Sequence, residues 1–423
     1  MVKIESVSAR EILDSRANPT VEAEVRLSDG ARGIAAVPSG ASRGKNEAYE
    51  LRDTENNRYR KKGVLNAVRS VNEDINSALV GKEAYDLEGA DSIMISLDGT
   101  HNKSNLGANA ILSVSLALAR AGAASRGLPL YRYVATETPT LMPVPMLNIL
   151  NGGAHAANNL DFQEFMILPT GAESFAEAVR MGAEIYHSLR SILVSRSFGV
   201  GVGDEGGFAP DLKGEEEAIE VIIEAISEAG YKAGKDVFLG LDVASSEWRC
   251  GEGYRPSKSG RNMTSDELCD YLAELVGKYP IISIEDGMGE DDIYGWEKLT
   301  ERLKNTKTML VGDDLFVTDY RRISEGADKN IANTVLIKPN QIGTLSETKK
   351  AISTARARGY RTVMSHRSGE TEDSTIADLA VAFGCELVKM GAPARSERTA
   401  KYNRLMKIES ELMGAKYFGT HFR

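Results

Sequence analysis

The sequence predicts an α/β protein with a TIM-type barrel, preceded by a smaller α+β domain. Three observations carry that expectation. Residues 3–38 alternate apolar and polar side chains, the pattern of a half-buried antiparallel meander. After residue 140, short β-rich runs alternate with helical stretches, which implies a mostly parallel sheet. The ends of those runs recur at roughly 30-residue intervals, the length of one β/α unit. An open doubly wound sheet fits the same periodicity nearly as well.

The elements follow in chain order. Asn18-Pro19 and Asp29-Gly30 are the turn signals that punctuate the opening meander. Helical patterns occupy 62–80 and 107–125. The second, GANAILSVSLALARAGAA, is the most membrane-like segment, but it carries Asn109, two serines and Arg120. It reads as an Ala-rich core helix rather than a clean span of about 20 apolar residues. The Pro-rich stretch 136–148 marks the expected boundary, dividing the chain into 1–135 and 136–423. The later strands are expected at 237–242, 280–286, 308–314, 333–338, 360–366 and 385–389, with helices at 215–230, 264–279, 344–359 and 373–384.

Each of those six strands ends in an ionisable residue: Asp242, Glu285, Asp313, Lys338, His366 and Lys389. Charged residues often mark an exposed strand-to-loop transition, but six in succession strain that explanation. In a barrel, the C-terminal strand ends share one face, where catalytic groups gather. Period-two alternation in Ile282-Ser283-Ile284-Glu285-Asp286 turns Glu285 to the axis and Asp286 away from it. The same phase turns Asp313, Lys338, His366 and Lys389 inward. Asp242, Glu285 and Asp313 would then converge, and three mutually repelling carboxylates call for a cation. An oxygen-only donor set suits Mg²⁺. Lys338 and Lys389 lie on nearby strands, where like charge and a metal ion depress a lysine pKa and make a proton-abstracting base. Removing a proton next to a carboxylate requires stabilisation of the resulting enediolate, which metal ions supply.

Other segments add candidates. In GVGVGDEGGFAPDL (199–212) the pattern GxGxxG is a decoy, because Asp204-Glu205 would repel a pyrophosphate and no helix begins there. The loop reads better as presenting Glu205 as an acid. SHRSGETED (365–373) puts Arg367 and Ser368 just past a strand, suited to a phosphate. PSGASRG (38–44) has the composition of a mobile lid, and 151–165 brings His155, Gln163 and Glu164 close in sequence.

Composition narrows the class. The net charge of −10 disfavours non-specific nucleic-acid binding without excluding small anionic substrates. No nucleic-acid or membrane partner is evident. The start, MVKIESVSAR, has no apolar signal core, and Cys250, Cys269 and Cys385 show no CxxC or Cys/His spacing. A reduced, cytoplasmic protein is the expectation.

With those residues in hand, the sequence resembles the enolase family from DSRANPTVEAEV (14–25) almost to its end. The shared stretches include PSGAS, KSNLGANAILSVSLA, NGGAH, QEFM, VGDEGGFAP, SIEDG, VGDDLFVT, IKPNQIGT, SHRSGETEDSTIADLAV and AKYNRL. The resemblance implies Mg²⁺-dependent dehydration of 2-phosphoglycerate to phosphoenolpyruvate. By motif, Lys338 matches the base and Glu205 the acid, while Asp242, Glu285 and Asp313 match the ligands of the first Mg²⁺. Ser42 matches the lid serine that joins a second Mg²⁺ with substrate. Arg367 and Ser368 match phosphate contacts, and His155, Gln163, Glu164, His366 and Lys389 match other substrate-site positions. The family pattern also implies a barrel that begins ββαα, and a homodimer or an octamer of dimers. Three departures stand out: Ala17 where the family usually has Gly, Arg43 in the lid, and Met390 with Ala392-Pro393 after Lys389. A racemase or acid-sugar dehydratase on the same barrel would have no use for SHRSG. A surface-binding role is not readable from sequence, and a dehydrogenase would rest on the decoy loop alone.

Overall fold

A computed structural model describes residues 1–41, 44–55, 57–412 and 414–422. Strands β1 (Ile4–Leu13), β2 (Pro19–Leu27) and β3 (Arg32–Ala36) form the predicted antiparallel meander. The turn before β2 places Ala17 at φ 59, in the left-handed region that usually selects glycine. Helix α1 (Leu87–Asp98) precedes α2 (Ala108–Ser125), which lies flat on the meander. The contact is close because α2 is rich in alanine and β3 contributes Gly33. A Cβ on Gly33 would fall 2.2 Å from both the Ala117 carbonyl oxygen and the Ala121 nitrogen. Helix α2 is the one described helix long and apolar enough to cross a membrane, and 83% of its apolar window is buried inside the protein.

The second part is a closed eight-stranded barrel. Its strands are β4 (Val144–Asn151), β5 (Glu164–Leu168), β6 (Phe238–Asp242), β7 (Ile281–Glu285), β8 (Met309–Gly312), β9 (Thr334–Ile337), β10 (Arg361–Ser365) and β11 (Leu387–Lys389). From β6 to β11 and on to β4 the neighbours are parallel. Strand β5 runs antiparallel to both β4 and β6. Two helices, α3 (Phe175–Ser195) and α4 (Glu215–Glu228), then follow in succession. The barrel therefore begins ββαα, as the resemblance implied. Periodicity missed β4 and β5 because no α-helix separates them, so they fall outside the strand–helix rhythm.

The six expected strands are all present, with one refinement. Asp242, Glu285 and Lys389 are last strand residues, whereas Asp313, Lys338 and His366 stand one position beyond. Pro339 does more than stop β9: it opens a short helical turn, Pro339–Ile342, with Lys338 at its N-cap.

The meander and α1–α2 are tied to the mouth of the barrel by polar contacts. Ser39 and Gly369 exchange two backbone hydrogen bonds of 2.8 and 2.9 Å. Arg16 donates to Ser368 Oγ at 3.2 Å, and Arg120 pairs with Asp373 at 3.2 Å. Asp91 on α1 accepts from the backbone N–H and hydroxyl of Ser346 at 3.0 and 2.6 Å.

Candidate active site

The strand ends and three loops enclose a polar cavity. Its lining includes Glu47, His155, Gln163, Glu164, Glu205, Asp242, Asp313, Lys338, His366, Arg367, Ser368 and Lys389. The free space at its centre is about 30 Å³, enough for roughly one or two water molecules. All the described residues predicted for the site line this cavity except Glu285, which reaches it through Lys389. Ser42 and Arg43 lie outside the described residues.

Two lysines organise the acids. Lys389 Nζ lies 3.0 Å from Asp242 Oδ2, 2.8 Å from Glu285 Oε2 and 3.0 Å from Glu164 Oε1. Lys338 Nζ pairs with Asp313 Oδ2. The trio Asp242, Glu285 and Asp313 is thus spread over two lysine-centred clusters. Gln341, at the helical turn after Lys338, donates to Asp313 Oδ1 at 2.8 Å, and Gln163 donates to Asp242 Oδ2 at 3.3 Å.

These pairings govern the charge of both lysines. Burial is the largest single effect and favours a neutral lysine, yet the neighbouring carboxylates, Asp313 foremost, together raise the Lys338 pKa. Burial likewise works against the Lys389 charge, but Asp242, Glu164 and Glu285 raise it well above the ordinary range. Like charge between the lysines is the smaller effect, because each sits closer to carboxylates than to the other. Lys389 is therefore a fixed cation in this arrangement.

The acids divide by environment. Burial, with Asp242 next, pushes Glu285 well above the carboxylate range, while Lys389 opposes the shift. Burial and the charge of Glu205 also push Glu164 well up. Burial works against the Glu205 charge too, but His366, His155 and Lys389 hold it well below its ordinary value. His155 Nδ1 stands beside both, 3.8 Å from Glu164 Oε1 and 3.6 Å from Glu205 Oε1. Burial lowers the His155 pKa.

Asp286 does leave the cavity lining, as strand phase predicts. Its carboxylate accepts from the backbone N–H groups of Asp313 and Asp314, both at 2.9 Å, so it fixes the end of β8. Its φ is 41°, in the left-handed region. Among the described residues, two sets place ligand atoms within 4.8 Å of one another: Asp286 with Asp313 and Asp314, and His155 with Glu164 and Glu205.

The Arg367 guanidinium pairs with an acid outside its own loop. Its Nη1 lies 2.9 Å from Glu47 Oε2, and its Nη2 lies 3.2 Å from Glu47 Oε1. Ser368 Oγ accepts from Ala41 N–H at 2.7 Å. The departures after Lys389 are accommodated: Met390 and Ala392 are fully buried, and Ala392 N–H donates to the Glu205 carbonyl at 3.0 Å.

Sequence reasoning missed Glu47, Asn148, Gln341 and Arg398. Asn148 on β4 donates to Glu205 Oε2 at 2.9 Å, and Arg398 donates to His366 Nδ1 at 2.7 Å. Each is remote in sequence from its partner, so no local spacing announces the contact. The one legible signal was for Glu47, which lies three residues beyond the lid segment 38–44.

The all-oxygen donor set of Asp242, Glu285 and Asp313 fits a hard divalent cation better than zinc. A buried concentration of carboxylates also favours cation binding electrostatically. Two family models match the chain: "Enolase, N-terminal domain" over residues 4–134, and "Enolase, C-terminal TIM barrel domain" over residues 139–423. Matches of that extent, on a closed barrel with acids, lysines and an arginine at its mouth, show that the chain belongs to the enolase family.

Proposed function

We propose that this chain catalyses the reversible, Mg²⁺-dependent dehydration of 2-phospho-D-glycerate to phosphoenolpyruvate, a step of glycolysis and gluconeogenesis. The observation that carries this reading is the meeting of Lys338, Glu205 and Arg367 at one cavity, although they come from three separate segments. Arg367 and Ser368 would take the phosphate. Lys338 would accept the C2 proton, and Glu205 would protonate the departing C3 hydroxyl. Lys389, His155, Gln163 and His366 would orient the substrate.

Asp242, Glu285 and Asp313 would hold one Mg²⁺, and Ser42 would join a second on substrate binding. The ions would supply positive charge to the substrate carboxylate and would offset the carboxylate charge that keeps Lys338 protonated. Lys338 and Lys389 must withdraw from their present carboxylate partners for such a complex to form. A cytoplasmic location, a homodimer or an octamer of dimers, and a boundary between 135 and 136 belong to the same reading and rest on the resemblance.

The test follows phosphoenolpyruvate absorbance in the presence of Mg²⁺ and after EDTA, for the wild type and Lys338→Ala. Turnover should require the metal, and the variant should lose about 10²- to 10⁴-fold in kcat. No turnover by the wild type with Mg²⁺ would sink the function. Full activity in the variant would sink the base assignment.

A further inference from the structure

Arg398 is fully buried and not itself part of the cavity lining. Its Nη1 donates to His366 Nδ1 at 2.7 Å and to the Arg367 carbonyl at 2.7 Å. Its Nη2 donates to the carbonyls of Asp204 at 3.0 Å and Ser368 at 2.6 Å. One side chain therefore clamps the loop that carries Glu205 to the loop that carries His366 and Arg367.

The clamp also decides a tautomer. A guanidinium has donors and no acceptor, so the nitrogen it faces must accept. His366 Nδ1 is then unprotonated, and the neutral ring carries its proton on Nε2. Nε2 faces Glu205 Oε2 at 3.4 Å. The Asn148 amide donates to the same oxygen at 2.9 Å. With two N–H groups directed at Oε2, a proton on Glu205 is accommodated at Oε1. Burial keeps the His366 ring neutral by pushing its pKa down to about 3; Glu205 opposes that shift and Arg398 adds to it.

We propose that Arg398 is a positioning residue for the acid step: it fills His366 Nδ1, fixes the ring proton on Nε2, and leaves Oε1 of Glu205 as the oxygen that protonates the leaving hydroxyl. The inference rests on the reaction read above. In that step the Oε1–H proton passes to the C3 hydroxyl oxygen as the C3–O bond breaks, and water departs with the bonding electron pair. The electron pair left at C2 by proton abstraction forms the C2=C3 bond. Glu205 ends as a carboxylate whose Oε2 already accepts from Asn148 and faces His366 Nε2. Without the guanidinium, the ring can place its proton on Nδ1, and its bare Nε2 then competes for the Glu205 proton.

The experiment has two arms. The first labels the five histidines with ¹⁵N and reads ring-nitrogen shifts in the wild type, with His366 assigned by comparison with His366→Gln. The expected result is a single Nε2–H tautomer; an Nδ1–H tautomer, or averaging between the two, overturns the proposal. This arm needs no Arg398 variant to fold. The second arm compares C2-proton exchange with dehydration in Arg398→Lys, whose ammonium cannot span the same four acceptors. Exchange should stay within about twofold while dehydration slows about 100-fold. An equal loss of both, or of neither, overturns the positioning role. Absence of exchange in the wild type would instead overturn the proposed reaction, while the nitrogen shifts would still decide the tautomer.

Discussion

Arg367, just past β10, and Glu47, in the segment before α1, form a buried two-point ion pair with N–O separations of 2.9 and 3.2 Å. Their side chains are only 5% and 6% exposed. The pair joins the barrel mouth to the N-terminal region at the guanidinium we assign to phosphate.

Removing one partner of such a pair strands the other charge in a poorly hydrated site. Glu47→Ala should therefore destabilise the fold by about 3 kcal/mol, reduced to the extent that Asn340 and other acceptors take over. Urea unfolding of variant and wild type measures this directly. A difference near zero would mean that the guanidinium is held adequately without Glu47.

Separate acid and base roles make a kinetic prediction. Glu205→Gln keeps the shape of the side chain but cannot supply a proton. It should continue to exchange the C2 proton of substrate with solvent, while phosphoenolpyruvate formation falls by about 10²- to 10⁴-fold. Hydrogen exchange read by mass or NMR, beside the absorbance assay, distinguishes the two. Loss of both reactions together would argue that Glu205 does not act separately from Lys338.

Ala17 sits at φ 59 in the turn whose backbone is closed by Asp14 and Asn18. The left-handed conformation costs an L-residue about 1–2 kcal/mol, and glycine avoids that cost while losing more chain entropy on folding. Ala17→Gly should stabilise the protein by about 0.5–1 kcal/mol, and Ala17→Val should destabilise it. Denaturation midpoints check both, and a less stable glycine variant would show that the Ala17 methyl packs favourably.

Asp91 carries a pH dependence of known sign. Burial pushes its pKa up to about 6, and hydrogen bonds from Ser346 and Ser115 only partly oppose this. The folded state thus binds the proton more tightly than the unfolded chain. The contribution of Asp91 to stability is most favourable below about pH 4, falls between about pH 4 and 6, and levels off above. Asp91→Asn should remove this component, so the variant should gain on the wild type by about 2 kcal/mol between pH 4 and pH 7. Unfolding measured across that range tests the sign, and a constant difference would refute it.

Much of this molecule was legible before any coordinates. Alternation gave the meander, because each of its strands has one buried face, and the run of six ionisable strand ends gave the barrel mouth. Strand β5 was not legible from periodicity. Its residues are buried on both faces, and nothing in Glu164–Leu168 signals that it runs antiparallel to its neighbours.

At the site, residue chemistry and strand phase, both local properties, settled which groups are present and turned the strand-end residues toward the barrel axis. The tertiary structure decided what those groups are to one another. It set Lys389 among Asp242, Glu285 and Glu164, paired Lys338 with Asp313, and brought Arg398 to His366 and Asn148 to Glu205. Protonation states and tautomers depend on charges and donors within a few ångströms, and here those neighbours come from distant parts of the chain.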